Sequence, residues 1–259
     1  MRPRLAAAVT AVALLAAGSA GAQTYLPQGA APDSVRILPP PPARGSRAQA
    51  ADTAAFKATR RMKGQPRWAM ATADAQAGPK AGLDDFACAL GARLDEANAP
   101  ILLGLLTRVG RDARAMIDPP KDHFGRKRPF VGRKAEICVP HDRSLDESAS
   151  YPSGHATMGW TWALILAELA PDRATEVLMR GRAYGESRVV CGVHYPSDVE
   201  AGRTTASGLV AALHGDAAFR ADMDRARVEL AAARAAAPPA LDPARCALEA
   251  EAGAHRPWD

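Results

Sequence analysis

YPSGHATMGWTWALILAELAP, residues 151–171, joins a short polar loop to an apolar run that ends at a proline. Met158, Trp162, Ile165, Leu166 and Leu169 recur at intervals of three and four, and Pro171 closes the pattern. That spacing predicts a buried helix over His155 to Leu169. A helix start of this kind also favours anions, because its first amides lack partners and the macrodipole is positive there. Gly154 lets backbone approach a ligand closely, and Ser153 can act as helix cap or as a donor to a phosphate. His155 beside such an anion would be held protonated.

Outward from this run the same helical texture continues. Residues 52–62, 84–94, 100–116, 198–214 and 219–236 are rich in Ala, Leu and Arg and short of β-branched runs, and Asp172 can cap a further helix. No alternating strand pattern stands out. The expected fold class is all-α, a single-domain helical bundle whose loops carry the Gly, Pro and His residues.

Both ends read differently. Residues 1–22 combine Arg2 and Arg4 with an apolar run from Leu5 to Ala17 and a small-residue finish, the pattern of a secretory signal peptide. Residues 23–50 are Pro- and Ala-rich, with Pro39 to Pro42 favouring a polyproline conformation, and read as an exposed arm. Residues 51–236 form the expected helical domain, and residues 237–259 are assigned as a tail.

Of the 33 Lys and Arg residues two fall in the signal segment, which leaves 31 against 28 acids, a net +3. The basic residues are scattered among acids without aromatic interleaving, so nucleic acid is not an expected partner. The apolar run at the N-terminus is too short to span a bilayer, and a membrane is not expected either. Cys88, Cys138, Cys191 and Cys246 make disulfides expected in an exported chain. Three pairings are open, and Cys88–Cys138 with Cys191–Cys246 is preferred because the first would join an early helix to the loop after Pro129. Their spacing fits no zinc module.

Two further clusters carry charge. Lys121 and Arg128, followed by Pro129, would share a face if Asp118 capped a short helix with Pro119 at its first position. Ser187 and Arg188 precede His194 and Asp198. With Pro196 opening a helix, residues four apart lie together, so the Asp198 carboxylate can accept the Nδ1 proton of His194 and leave Nε2 as a nucleophile. Arg188 offers a planar fork for two phosphate oxygens. Taken alone, each cluster is equally a solvated turn, a cap or a surface pair.

Together they resemble the phosphatase motif of the type 2 phosphatidic acid phosphatase superfamily, which also holds vanadium haloperoxidases. All eleven motif residues are present: Lys121, Arg128, Pro129, Pro152, Ser153, Gly154, His155, Ser187, Arg188, His194 and Asp198. Within the superfamily the chain looks most like a bacterial class A nonspecific acid phosphatase, since Ile37, Leu38 and Pro39 to Pro42 resemble that family's proline-rich segment and so allow the arm to be docked. The resemblance runs from about residue 37 to 214.

It implies a phosphohistidine on His194, oriented by Asp198, with His155 as general acid and base. Lys121, Arg128, Ser153, Gly154 and Arg188 would hold the phosphoryl oxygens, with no metal and no cofactor. The implied partners are small-molecule phosphate monoesters, with a phosphotransferase side activity, an acid pH optimum and a periplasmic or secreted location. A homo-oligomer, a dimer, is admitted. The competing expectations are a vanadate-dependent haloperoxidase and a non-catalytic phosphate-binding protein. His123, His141, His214 and His255 match no motif position and are expected to be structural or at the surface. His123, Tyr151 and Tyr195 remain candidates for the entrance.

Overall fold

The computed structural model describes residues 24–76, 78–236 and 240–259, so the signal-peptide segment lies outside the described residues. The chain is all-α. In order the helices are α1 (Ser34–Ile37), α2 (Arg47–Arg60), α3 (Pro66–Ala73), α4 (Pro79–Asp85), α5 (Ala87–Leu90), α6 (Pro100–Phe124), α7 (Arg143–Glu147), α8 (Gly154–Leu169), α9 (Ala174–Val190), α10 (Pro196–Leu213), α11 (Ala217–Ala235) and α12 (Pro243–Ala254). No helix among the described residues is long and apolar enough to cross a membrane.

The centre is α8, which packs against α9 on one side and α10 on the other. Small residues let these axes come close. A Cβ on Gly159 would fall 2.2 Å from the Tyr184 ring, and one on Gly181 would fall 2.3 Å from the Cβ of Ala163. A Cβ on Gly202 of α10 would sit 2.8 Å from the carbonyl oxygen of Ser153. Leu102, Leu105, Leu106, Val109 and Met116 of α6 and Ile165, Leu166 and Leu169 of α8 fill the main core. No residue of α6 caps its N-terminus, and Glu229 of α11 supplies the missing acceptor, taking the amides of Ile101 and Leu102 at 2.9 and 2.8 Å. One carboxylate thereby satisfies two orphan donors and fastens α11 to α6.

Several expectations change. The helix expected over residues 84–94 is instead the end of α4 and the short α5, which stops at Gly91, and Asp172 lies in a 3-10 turn before α9, whose start has no side-chain cap. Helix α6 does not stop near Met116 but runs through Pro119 and Pro120 and ends at Gly125, which takes φ 54°. Lys121 therefore sits in its last turn and Arg128 lies beyond it, so the two do not share a short helix. The proline ring has a helical φ, and the cost is confined to the lost amide donors and crowding in one turn.

The arm is docked. The Tyr25 and Leu26 amides donate to Asp112 at 2.9 and 3.0 Å, the Tyr25 ring meets Phe219 edge-on at 5.3 Å, and Tyr151 Oη donates to the Pro39 carbonyl at 2.7 Å. The tail contains α12, whose Glu249 and Ala252 are buried. The disulfides are Cys88–Cys246 and Cys138–Cys191, not the preferred pairing. Residues 237–259 looked free in sequence, so nothing placed Cys246 against α5. In the fold α12 packs on α5 and α9, and the loop after Pro129 lies on the C-terminal end of α9, where the Cys138 amide donates to the Cys191 carbonyl at 3.1 Å.

Gly159→Ala is expected to cost about 1–3 kcal/mol of stability, because the added methyl meets a buried ring that has nowhere to go. Urea unfolding measures it, and an unchanged midpoint would contradict the packing of α8 on α9.

Candidate active site

The three motif clusters meet where α6, α8, α9 and α10 present their ends. Ser153 is the N-cap of α8, its Oγ accepting from the Ala156 amide at 3.3 Å, while its own amide donates to the Asp198 carbonyl at 2.9 Å. That second bond ties the start of α8 to α10. Gly154 and His155 follow as the first helical residues. Arg188 lies in the last turn of α9, and His194 stands two residues before α10, whose third residue is Asp198.

His194, Arg188 and Asp198 are 2%, 4% and 0% exposed, so whatever neutralises them must come from within the site. Arg128 donates through Nε to the Ser148 carbonyl at 3.0 Å and through Nη1 to the Val193 carbonyl at 2.9 Å. The same Nη1 lies 3.0 Å from Nε2 of His194. A guanidinium can only donate, so Nε2 is the acceptor and the ring proton sits on Nδ1. Nδ1 faces Oδ2 of Asp198 at 3.5 Å without forming a hydrogen bond, so the expected proton acceptance by Asp198 is not made in the free site. Lys121 Nζ donates to the Ala149 carbonyl. Arg188 is different, because its buried Nε and Nη1 have no hydrogen-bond partner at all. An orphaned buried guanidinium is costly, and an oxyanion is the group its fork matches.

Crowding these groups together shifts their proton affinities. His155 is pushed from an ordinary 6.5 down to about 3, first by Arg188, then by burial, with Arg128 and Lys121 adding. His194 is pushed well below its ordinary value by burial and then by Arg128, Lys121 and Arg188. Burial lowers Lys121 to about 8, with Arg128 adding. Asp198 is raised to about 6 by burial, against the opposing pull of Arg126. The expected protonation of His155 therefore depends on an anion being present; in the free site its ring is neutral, with Nε2 3.2 Å from the Ala75 carbonyl oxygen.

The eight proposed site residues are thus gathered at one place, though not by the local geometry that suggested the first pair. Of the candidates at the entrance, Tyr151 is buried with its hydroxyl committed to Pro39, and Tyr195 lies under the Arg126 guanidinium, 4.3 Å from its ring centroid. His123 is exposed, His141 pairs with Asp146 at 2.6 Å and His214 with Glu168 at 3.0 Å.

Three residues of the site's surroundings were missed. Arg126 bridges Asp198 and Asp52, and Asp74 accepts from Ser187 Oγ and Arg180. Arg126 lies two residues before Arg128, a spacing that puts both on one side of an extended loop, yet nothing local couples it to Asp52 in α2.

A helical bundle whose helix ends gather buried basic side chains beside an imidazole and a carboxylate is suited to oxyanions, and residues 100–219, which include all eleven motif residues, match the PAP2 superfamily. An acid phosphatase from Zymomonas mobilis subsp. mobilis is 50% identical over 206 residues, 79% of this chain and 78% of that protein. A non-specific acid phosphatase from Providencia stuartii is 37% identical over 80% of this chain and 84% of its own length. Another from Salmonella typhimurium is 36% identical over 84% and 89%. The chain belongs to the nonspecific acid phosphatase family of the PAP2 superfamily, class A.

Binding of a tetrahedral oxyanion should return the lost protons. Sulfate, which does not titrate near neutrality, offsets the field that holds His155 at about 3, so its pKa rises on binding. At pH 6 sulfate binding is expected to take up a proton, measured by calorimetry in buffers of differing ionisation heat. Zero uptake would contradict the convergence of the three cations on His155.

Proposed function

We propose that this chain is an exported, metal-independent acid phosphatase that hydrolyses small phosphate monoesters of broad structure through a phosphohistidine on His194. The observation that carries this reading is the setting of the His194 ring, with Nε2 3.0 Å from Arg128 Nη1 and Nδ1 turned to Asp198 Oδ2 at 3.5 Å. This places the ring proton on Nδ1 and leaves the Nε2 lone pair toward the basic side chains. A site that only held phosphate would need the cations but not a nucleophile arranged in this way.

In the free protein Arg128 covers Nε2. An arriving phosphoryl group draws that guanidinium onto its oxygens and uncovers the nitrogen. Lys121, Arg128, Arg188, Ser153 Oγ and the Gly154 amide then hold the equatorial oxygens, where charge builds in the transition state. Nε2 attacks phosphorus as the ester P–O bond breaks, and His155, protonated in the presence of the anion, gives its proton to the leaving oxygen. Asp198 balances the positive ring. Water, deprotonated by His155, next attacks phosphorus and releases inorganic phosphate with His194 restored. An alcohol in place of water would give the phosphotransferase side reaction.

The three basic side chains supply the neutralisation that magnesium supplies in other phosphoryl-transfer sites, which supports independence from metal. Two disulfides and the signal-like residues 1–22 support a periplasmic or extracellular location.

Hydrolysis of p-nitrophenyl phosphate should persist in excess chelator, and acid-labile labelling by substrate phosphate should vanish in His194→Ala together with a rate loss on the order of 10⁴-fold. A labelled His194→Ala protein would refute the nucleophile. Halide oxidation by the vanadate-loaded protein without phosphatase turnover would favour a haloperoxidase, and no turnover of either kind would favour a binding protein.

His155→Gln is expected to slow alkyl phosphates by about 10²–10⁴-fold and p-nitrophenyl phosphate much less, because only the poor leaving group needs the proton. Equal losses would remove His155 from the acid role.

A further inference from the structure

Arg126 lies outside the motif but touches the carboxylate behind the nucleophile. Its Nη1 donates to Asp198 Oδ1 at 2.5 Å, and its Nη2 donates to Asp52 Oδ2 at 2.7 Å and Gln49 Oε1 at 2.8 Å. Asp52 in turn accepts from the Ser197 amide at 3.1 Å and from Ser197 Oγ at 2.5 Å. The other oxygen of Asp198, Oδ2, accepts from the Tyr195 amide at 2.8 Å and faces His194 Nδ1. Both oxygens of Asp198 are therefore assigned, and its plane is set by Arg126 on one side and by the start of α10 on the other. Resting on the phosphohistidine reading, we infer that Arg126, shared between Asp52 and Asp198, is a positioning residue that keeps the Asp198 carboxylate ionised and turned to His194, with Asp52 regulating how much of its charge Asp198 feels.

The charge balance explains why two carboxylates are needed. An arginine paired with Asp198 alone would neutralise it and leave little to stabilise the positive ring of phosphohistidine. An Asp198 with no arginine, fully buried, would keep its proton to higher pH than it does beside Arg126 and, while protonated, could not balance the ring. Sharing the guanidinium with Asp52 leaves the Arg126, Asp52 and Asp198 group with a net single negative charge, the complement of one charged imidazole. Burial raises Asp198, Arg126 opposes that rise, and Asp52 adds to it. Arg126 itself is held up by the two carboxylates against the effect of burial. The other charged or titratable groups that reach Asp198 are Lys121 of α6, Arg128 of the following loop, Tyr151 before α8 and His194. Asp52 belongs to α2, outside residues 100–219, so the N-terminal region of this chain would supply the adjustment.

The test is the pH profile of kcat for p-nitrophenyl phosphate, whose acid limb reports the ionisation of Asp198 in the bound complex. Arg126→Met is expected to move that limb upward by about 1–3 pH units, with KM changed less than about 2-fold, since the oxyanion-holding groups are intact. Arg126→Lys should restore part of the shift. Asp52→Asn should move the limb the opposite way, downward, because it leaves Arg126 wholly to Asp198. A purely structural role would lower kcat alike at every pH. An unmoved limb, or shifts of the same sign in Arg126→Met and Asp52→Asn, would overturn the inference. Should Arg126→Met fail to bind sulfate, Arg126→Lys and Asp52→Asn decide the matter by themselves. If the unsubstituted protein forms no phosphohistidine, the underlying reading fails rather than this one.

Discussion

Three basic side chains repel one another and hold two neighbouring imidazoles neutral, and the fold keeps them together at the end of a bundle with little solvent to screen them. Neutral acceptors do most of the holding. Lys121 is fixed by the Ala149 carbonyl, and Arg128 by the Ser148 and Val193 carbonyls and the Ser148 hydroxyl. A carbonyl oxygen orients a cation without cancelling it. Carboxylates stand one layer back, Asp198 behind His194 and Asp74 behind Ser187, so the positive field remains available to a ligand. The cost is visible in Arg188, buried with two unpaired nitrogens, and a buried group left in that state costs about 1–3 kcal/mol or more.

A site that stores repulsion needs a frame that cannot relax. The close approach of α8 to α9 and α10 through Gly159, Gly181 and Gly202 leaves no room for the ends of those helices to slide. The Ser153 amide bonded to the Asp198 carbonyl locks the start of α8 to α10, which carries Asp198. Cys138–Cys191 pins the loop after Pro129 to the end of α9, three residues before His194. The docked arm and α12 complete this frame from outside, through Asp112, Pro39 and Cys88–Cys246.

What could be read in advance follows the range of the interaction involved. Helices α8, α10 and α11 were legible to within two residues because apolar periodicity, Pro196 and the flanking polar residues are local signals. The motif residues were legible as a set because their order along the chain is itself distinctive. Helix α6 was misjudged where Pro119 and Pro120 look like a stop. Met116, Ile117 and Pro120 are buried there, and tertiary burial outweighs the local penalty. The disulfide pairing and the Asp52–Arg126–Asp198 chain were not legible, since each joins residues that meet only after the bundle has closed.

The same cationic field bears on why an enzyme of this construction would work in acid. With no anion bound, Arg188, Arg128 and Lys121 drive the proton off His155, so the group proposed as general acid is neutral in the empty site. A phosphoryl group brings negative charge and permits the proton to return, which makes anion binding and protonation linked events. A binding step that takes up a proton weakens as pH rises. The preference for acid therefore need not come from an unusually acidic side chain. It follows from crowding cations around a histidine that can do its work only after the substrate's charge has arrived.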